Sequence, residues 1–169
     1  DIDPVTWCVD PREVEKKINK NTKAIIAVHL YGNICDVKSL KTISKKYKIP
    51  LVEDAAEALG SSINKRKVGT FGDFGCYSFH GTKTITTGEG GALVTNNKKL
   101  YRIALKLSDH GKNEKKQFWS DLIGFKFKMS NLQAALGYAQ IMRINQILKK
   151  KIKIFNLYKK YLVSKNIFL

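Results

Sequence analysis

The sequence predicts an α/β fold with a mostly parallel sheet, and three observations lead to that prediction. Short apolar segments typical of strands, such as KAIIAVH at 23–29 and PLVE at 50–53, alternate with segments whose apolar residues recur at helical spacing. The helical segments begin at side chains that cap helices well. This order of helix, strand, helix and strand favours parallel strands joined by right-handed crossovers. Ligands of such sheets bind at the carboxyl ends of the strands, so we expect the site there.

The first half of the chain contains two helix–strand units. Asp10 is the expected N-cap of the first helix, with Pro11 at its first position and Glu13 completing a pattern like a capping box. Asp36 caps the second predicted helix, which ends near Tyr47. The inner face of this second helix is expected to carry Val37, Leu40, Ile43 and Ser44.

Two further buried strands are expected at 75–79 and 91–95, and a small hairpin at 60–69 precedes them. The segment between the two strands is rich in Gly, Thr and Ser. We expect this segment to form a loop, because glycine and short hydroxyl side chains favour turns. The loop contains one lysine, Lys83, near its middle.

The last part of the chain is expected to be mainly helical. Asn96 and Asn97 can cap a helix over 98–107, and a polar loop follows that helix. Ser130 then caps one long predicted helix that continues toward Leu162. The apolar residues of this helix form a stripe, which suits either a core or a dimer face.

Composition limits the classes of function. A length of 169 residues is enough for one domain with a core, and no apolar run is long enough to span a bilayer. The net charge of +17 raises the alternative of a basic nucleic-acid-binding module. The excess is almost all lysine, with little of the arginine that forks onto phosphates and bases, and it is spread along the chain. We therefore expect neither a nucleic-acid nor a membrane partner.

The three cysteines also bear on the class of protein. Cys8, Cys35 and Cys76 lie too far apart in sequence for a common metal-binding or redox motif. The N-terminal residues are acidic and lack the pattern of a signal peptide. We therefore expect reduced thiols, a cytoplasmic location and no bound metal.

The sequence around Lys83 indicates a chemical role for this lysine. It is flanked by small residues and hydroxyls, between two segments expected to be buried strands. Partial desolvation would disfavour its ammonium form and lower its pKa. A neutral lysine amine can form an imine with a carbonyl compound. The alternative, which the stretch alone leaves open, is an exposed lysine on a glycine-rich surface hairpin.

Asp54 supplies a possible partner for this lysine. It follows the predicted strand at 50–53, and therefore lies at a carboxyl end of the sheet. A carboxylate and a lysine at such an edge are the pair that pyridoxal phosphate needs, since the lysine holds the aldehyde and the carboxylate keeps the pyridine nitrogen protonated. The nearby hydroxyl of Ser78 could bind the phosphate. The alternative for Asp54 is a purely structural cap of the turn at 55–56.

Four motifs resemble a known family. VEDAAEALGS at 52–61, GDFGCYSFHGTK at 72–83, TTGEGGALVT at 86–95 and GFKFKMSNLQAALGYAQ at 124–140 are similar to those of the DegT-type nucleotide-sugar aminotransferases. The wording is most similar to the GDP-perosamine synthase branch. The resemblance spans nearly the whole chain. It implies the type I fold of the pyridoxal-phosphate-dependent aminotransferases, with part of a three-layer α/β/α large domain.

Site residues follow from the resemblance by position. Lys83 resembles the lysine that holds the cofactor, Asp54 the aspartate on the pyridine nitrogen, and Ser78 the serine on the cofactor phosphate. Glu57 stands where many members have a glutamine near the ring hydroxyl, and a carboxylate there would need protonation or a different orientation. Lys126 falls where many members have an asparagine that reaches the phosphate in the neighbouring subunit.

The resemblance also implies a reaction and an assembly. Glutamate would donate its amino group, and a 4-keto-6-deoxy sugar nucleotide would accept it, giving a perosamine-type 4-amino sugar for surface polysaccharide. A related branch that dehydrates its sugar carries histidine where this chain has Lys83, so the lysine favours transamination. Active sites in the family form between two subunits, which implies a homodimer. The resemblance further implies that this chain is a fragment, with 1–125 in the cofactor-binding domain and 126–169 leading toward a small domain.

Three further side chains are expected near the site. His29, His80 and Glu89 border it and are candidate substrate contacts. A histidine at a strand end is more often structural, and Glu89 could simply complete a glycine turn. A non-catalytic remnant that keeps the fold without turnover is the remaining alternative to an active enzyme.

Overall fold

The computed structural model describes residues 1–163 and contains five helices and six strands within them. The helices are α1 Pro11–Lys17, α2 Val37–Tyr47, α3 Lys98–Ser108, α4 Asn131–Ile141 and α5 Ile144–Val163. The strands are β1 Ile25–Val28, β2 Leu51–Asp54, β3 Ser62–Ile63, β4 Arg66–Lys67, β5 Phe74–Ser78 and β6 Gly91–Val94. A single 3₁₀ turn, Leu30–Gly32, follows β1.

The main sheet has four strands in the order β1-β2-β5-β6. β1, β2 and β5 are parallel, as the alternation of helices and strands predicted. β6 is antiparallel to β5, and the segment that joins them is a loop without the helix that usually connects parallel neighbours. The mostly parallel α/β fold is therefore confirmed.

The hydrophobic core lies on one face of this sheet. Ile25 and Leu51 point inward from β1 and β2, and both are at most 5% exposed. The predicted inner face of α2 is confirmed, because Val37, Leu40, Ile43 and Ser44 are its buried residues. Asp36 caps this helix by accepting a hydrogen bond from the Ser39 amide.

The opposite face of the sheet is largely open. Ile26 is 63% exposed and Leu93 is 53% exposed, and both project from the face that bears Asp54 and Cys76. The prediction that 23–29 is a buried strand was therefore right for only one of its faces. Successive side chains of a strand alternate between faces, and only one face is covered by the described residues.

The predicted caps and turns are mostly confirmed. Asp10 accepts a hydrogen bond from the Arg12 amide at the start of α1, but the Glu13 carboxylate binds Lys16 instead of completing a capping box. The hairpin of β3 and β4 turns at Asn64 and Lys65, whose φ angles of 49° and 68° are those of a type I′ turn. The turn expected at 55–56 is part of a series of turns over 55–60 that contains no helix.

The single long helix predicted after Ser130 is wrong, because the chain turns between α4 and α5. The Arg143 amide bonds the Gln140 carbonyl three residues earlier, which is the tighter 3₁₀ pattern. The Arg143 side chain also donates to the Ala139 carbonyl, which gives this carbonyl a partner at the end of α4. Residues 164–169 of the predicted helical region lie outside the described residues, and the domain division near residue 126 remains a prediction.

Within residues 1–163, no helix combines the length and the low polarity that crossing a bilayer requires. The apolar residues of α4 and α5 are mostly solvent-exposed in this chain. Leu132 is 81% exposed and Leu136 is 58% exposed. The predicted apolar stripe is therefore not part of the hydrophobic core of residues 1–163. The stripe remains available to other parts of a larger assembly.

Candidate active site

Asp54 ends β2 at the carboxyl edge of the sheet. It lies between Val28 of β1 and Cys76 of β5 in the register of the three parallel strands. One carboxylate oxygen accepts a hydrogen bond of 3.0 Å from the Ala56 amide, which is the capping role foreseen as the structural alternative. The other oxygen accepts no hydrogen bond from residues 1–163, so it remains available to a ligand.

The negative charge of Asp54 affects its neighbour in the sheet. Burial raises the pKa of the Cys76 thiol, and the Asp54 carboxylate raises it further. Cys76 therefore stays protonated beside Asp54. The position next to Asp54 on β5 is thus occupied by a neutral side chain that does not compete with a cationic ligand for the carboxylate.

Lys83 and Glu57 lie together. The Lys83 ammonium is 3.5 Å from one Glu57 carboxylate oxygen, and the two side chains are 22% and 35% exposed. The other Glu57 oxygen accepts a hydrogen bond of 2.9 Å from the Tyr31 amide. Lys83 is therefore partly desolvated, as predicted, and it is not on a freely exposed hairpin. Glu57 adopts an orientation toward the lysine, which is one of the two solutions expected for a carboxylate at this position.

The end of β5 contributes a second group of polar side chains. The Ser78 hydroxyl accepts a hydrogen bond of 3.3 Å from the His80 amide. The His80 ring lies 3.6 Å from the Glu89 carboxylate, and both side chains are at least half exposed. The structure thus brings His80 and Glu89 together at the solvent-facing side of the loop that carries Lys83.

His29 occupies a different environment from the one predicted. It is 0% exposed, and one ring nitrogen accepts a hydrogen bond from the Cys35 amide at 3.2 Å. The other ring nitrogen lies 3.2 Å from the Glu53 carboxylate. Because neither nitrogen is accessible, the predicted substrate contact of His29 is corrected to a structural role inside the sheet.

Glu53, next to Asp54 in β2, is a buried carboxylate that the sequence analysis did not single out. Its buried carboxylate also accepts hydrogen bonds from the backbone amides of Gly69, Phe71 and Gly72. Burial alone would raise the pKa of this carboxyl, but the bonds from His29 and the three amides outweigh it and lower the pKa. The signal was present in β2, because Glu53 has the same strand parity as buried Leu51.

Lys126 is not part of this group. It pairs with Asp109 in an isolated bridge beside the end of α3 and is exposed. Among the described residues its side chain forms no hydrogen bond or ion pair with Asp54, Lys83 or Ser78. Its role at a phosphate of a neighbouring subunit remains a prediction.

The neighbouring strands β2 and β5 and the loop after β5 therefore carry one carboxylate oxygen without a hydrogen bond from residues 1–163, one partly desolvated amine and one serine hydroxyl. The part of the chain that the structure describes holds no group of three His, Cys, Asp or Glu side chains suited to a metal ion. Amine, carboxylate and hydroxyl are the groups that bind and use an organic cofactor with an aldehyde, a basic ring nitrogen and a phosphate.

Comparison with known proteins gives a consistent result. A sequence profile described as the DegT/DnrJ/EryC1/StrS aminotransferase family matches residues 1–168. A GDP-perosamine synthase from Vibrio cholerae is 44% identical over 156 residues, which cover 92% of this chain and 42% of that protein. A GDP-perosamine synthase from Caulobacter vibrioides is 38% identical over 162 residues, covering 96% of this chain and 44% of that protein. The chain thus spans less than half the length of these relatives.

Solved structures agree with the sequence comparison. A putative sugar aminotransferase from Streptococcus pneumoniae, in its PLP form, superposes with a TM-score of 0.86 at 29% identity, over 95% of this chain and 46% of that one. The Helicobacter pylori aminotransferase PseC, involved in pseudoaminic acid biosynthesis, gives a TM-score of 0.79 at 36% identity, over 83% of this chain and 38% of that one.

Proposed function

The chain belongs to the DegT/DnrJ/EryC1/StrS aminotransferase family, and from that premise we propose that it carries the cofactor site of a nucleotide-sugar aminotransferase. The proposed enzyme depends on pyridoxal phosphate and moves the amino group of glutamate to a 4-keto-6-deoxy sugar nucleotide. The observation that carries the proposal is the partly desolvated Lys83 amine beside Glu57, on the loop that follows the strand next to Asp54.

The residues present suit pyridoxal phosphate. The free oxygen of Asp54 can accept a hydrogen bond from a protonated pyridine nitrogen, and this contact would keep the ring electron-poor. The Lys83 amine can hold the cofactor aldehyde. The Ser78 hydroxyl, at the end of β5, can donate to a phosphate oxygen while it still accepts from the His80 amide. When bound, the cofactor supplies an aldehyde for the amino group and a ring that accepts electrons.

Lys83 has the central chemical role in this proposal. Its amine must leave the Glu57 carboxylate, 3.5 Å away, before it can act as a base. Once neutral, Lys83 Nζ takes the proton from the α-carbon of the amino donor and later returns a proton to the acceptor carbon. Asp54 holds the proton on the ring nitrogen throughout, because its carboxylate charge favours the protonated form.

Glu57 is proposed to bind the Lys83 amine when the lysine is released from the cofactor. Its second oxygen is already held by the Tyr31 amide, so the carboxylate is oriented before any ligand binds. His80 and Glu89 are proposed as contacts for the sugar nucleotide, because they are exposed and adjacent at the mouth of the loop. Lys126 is proposed to bind the cofactor phosphate of a partner subunit as a point charge.

The substrate and the setting follow from the relatives. The Vibrio cholerae and Caulobacter vibrioides relatives are named GDP-perosamine synthases, which favours a perosamine-type amino sugar destined for surface polysaccharide. A homodimer is proposed because a broad apolar surface of α4 and α5 stays exposed in one chain. A cytoplasmic location is proposed because Cys8, Cys35 and Cys76 are free thiols, which reducing compartments maintain.

Formation of the amino sugar is the test of this function. The protein at its full natural length is incubated with pyridoxal phosphate, glutamate and GDP-4-keto-6-deoxymannose, and the products are analysed by mass spectrometry. The proposal expects a 4-amino sugar nucleotide and an equal amount of 2-oxoglutarate. Cofactor binding without either product, for GDP-, dTDP- and UDP-linked 4-keto sugars alike, would favour the non-catalytic remnant instead.

A further inference from the structure

The loop that carries Lys83, here called the lysine loop and comprising residues 79–90, is closed at its base by its own backbone. The Phe79 amide donates to the Gly90 carbonyl at 2.9 Å, and the Thr87 amide donates to the Phe79 carbonyl at 2.8 Å. Ile85 is 1% exposed and Thr87 is 4% exposed, so their side chains anchor the loop from within. These contacts fix the base of the loop, and the Lys83 amide also donates to the His80 carbonyl at 3.0 Å.

Helix α4 adds a contact from outside the loop, at Thr86. The Gln140 side chain accepts a hydrogen bond from the Thr86 amide at 3.0 Å and donates one to the Thr86 carbonyl at 2.7 Å. The amide of Gln140 therefore pairs with both backbone groups of one residue, as a neighbouring strand would. Thr86 lies three residues after Lys83, so these bonds act close to the amine.

Two other residues of α4 also contact the lysine loop. Gln133, Gly137 and Gln140 are its only residues that are not exposed, and their spacing places them on one helical face. The Gln133 side chain donates to the Glu89 carbonyl at 3.1 Å. Gly137 allows the helix to come close, because a side-chain carbon there would lie 3.0 Å from the Thr87 methyl group. The polar face of α4 thus contacts the lysine loop, and the apolar residues point elsewhere.

We propose that Gln140 is a positioning residue for Lys83. Its two hydrogen bonds to the Thr86 backbone fix the position of the lysine loop relative to α4. This inference deepens the proposed function and rests on it for the role of Lys83. These two bonds, here called the Gln140 grip, matter because a proton transfer between Lys83 Nζ and a substrate carbon requires a narrow range of distance between the two atoms. Without the bonds to Thr86, the loop would keep its base and its buried side chains, but the position of the Lys83 amine would vary more.

Hydrogen exchange tests the grip without any cofactor. Gln140→Met keeps the length of the side chain and removes both bonds, and Gln146→Met makes the same change at an exposed position of α5. In Gln140→Met, amide exchange of residues 83–88 is expected to rise about tenfold, while β5 is unchanged. Gln146→Met is expected to match the wild type. Unchanged exchange of 83–88 in Gln140→Met would overturn the proposal.

A loss of stability alone must be distinguished from this result. Gln133→Ala removes the α4 capping box and the bond to Glu89 but leaves the Thr86 bonds in place. It serves as the destabilised control, and melting temperatures are measured for all variants. If Gln133→Ala raises the exchange of 83–88 as much as Gln140→Met does, Gln140 only supports the helix and the proposal fails.

The effect on Lys83 itself is read in the holoenzyme at its full natural length. In Gln140→Met, the pH at which the visible absorbance of the lysine-bound cofactor titrates is expected to shift, and kcat to fall roughly tenfold with the KM for glutamate within about twofold. Equal changes in Gln146→Met, or none in Gln140→Met, would contradict the positioning role. If no cofactor binds at Lys83, the proposed function fails, while the exchange experiment still decides whether the grip exists.

Discussion

At the scale of single residues, Asp54 combines a structural role with a proposed chemical one. One of its oxygens holds the Ala56 amide at 3.0 Å, and the other is left for a ligand. The two roles seemed to be alternatives in the sequence, because either would justify an aspartate at a strand end. One carboxylate can serve both roles, because one oxygen is bonded to the backbone and the other is left for the proposed ligand.

This division predicts different outcomes for two substitutions of Asp54. Asp54→Asn keeps an oxygen for the Ala56 amide but loses the charge, so stability should change by less than about 1 kcal/mol. The rate of amino transfer should fall roughly a hundredfold or more, because the ring nitrogen loses its anionic partner. Asp54→Ala should lose stability and activity together. Urea denaturation and steady-state kinetics check both, and an Asp54→Asn enzyme with normal kcat would contradict the assigned role.

At the scale of elements, the end of β2 is organised by the buried Glu53 carboxylate. Its bonds to three backbone amides fix the segment 69–72, which packs against the strand that precedes Lys83. Gly75 of that strand lies against the Gly69 carbonyl so closely that a side chain would clash. The position of β5 beside Asp54 therefore depends on Glu53 and on the absence of a side chain at 75.

The Glu53 carboxyl also predicts a pH dependence of stability. Because its folded-state pKa is lowered from the ordinary value of 4.5, its contribution is present above that pH and is lost as pH falls through the folded pKa. Glu53→Gln should lower the free energy of unfolding at neutral pH by about 3 kcal/mol, since three amides lose a charged acceptor. It should also flatten the acid limb of the stability curve. Denaturation with urea at a series of acidic pH values compares the slopes, and equal slopes would exclude Glu53 as the source.

The helices and strands show which features local sequence patterns can predict. The caps at Asp36 and Ser130, the parallel direction of β1 and β2 and the inner face of α2 were predictable, because the patterns that indicate them are local in the sequence. The break between α4 and α5 was not, because neither glycine nor proline marks it and the turn is held by Arg143 and Gln140 contacts. For the same reason the helix face with Gln133, Gly137 and Gln140 was missed, since it is defined by what the lysine loop offers. The burial of His29 likewise depends on a partner in another strand.

At the scale of the whole molecule, apolar surface is the dominant feature. One face of the sheet exposes Ile26 and Leu93, and α4 exposes Leu132 and Leu136. A monomer rarely leaves such surfaces open, so we expect other segments or a second copy to cover them. The chain spans less than half the length of its relatives, which agrees with that expectation.

This surface predicts the behaviour of the 169-residue chain expressed alone. It should bind a hydrophobic dye such as ANS strongly and should associate as its concentration rises, because the exposed faces are apolar. The protein at its full natural length should bind the dye weakly and sediment as a dimer. Dye fluorescence and sedimentation velocity measure both properties. Weak dye binding by a monomeric 169-residue chain would mean that the exposed faces need no cover.

The net charge of the molecule allows a test of the alternative function, a basic nucleic-acid-binding module. Binding to nucleic acid through the +17 net charge would weaken steeply with salt, because each phosphate contact releases counterions. The aminotransferase account expects at most weak and nonspecific binding that disappears at physiological salt. Fluorescence anisotropy with labelled DNA and RNA over a salt series makes the comparison. Tight binding that survives high salt would favour the nucleic-acid-binding alternative.

The central claim is that Lys83 holds pyridoxal phosphate, and reductive trapping tests it most directly. The protein is incubated with the cofactor, reduced with borohydride, digested and analysed by mass spectrometry, with Lys83→Ala, Asp54→Ala and the exposed-lysine variant Lys20→Ala treated in parallel. The account predicts one major phosphopyridoxyl adduct, on Lys83, that is absent in Lys83→Ala, retained in Lys20→Ala and weakened in Asp54→Ala. Labelling scattered over surface lysines, or an adduct that persists at another site in Lys83→Ala, would contradict it.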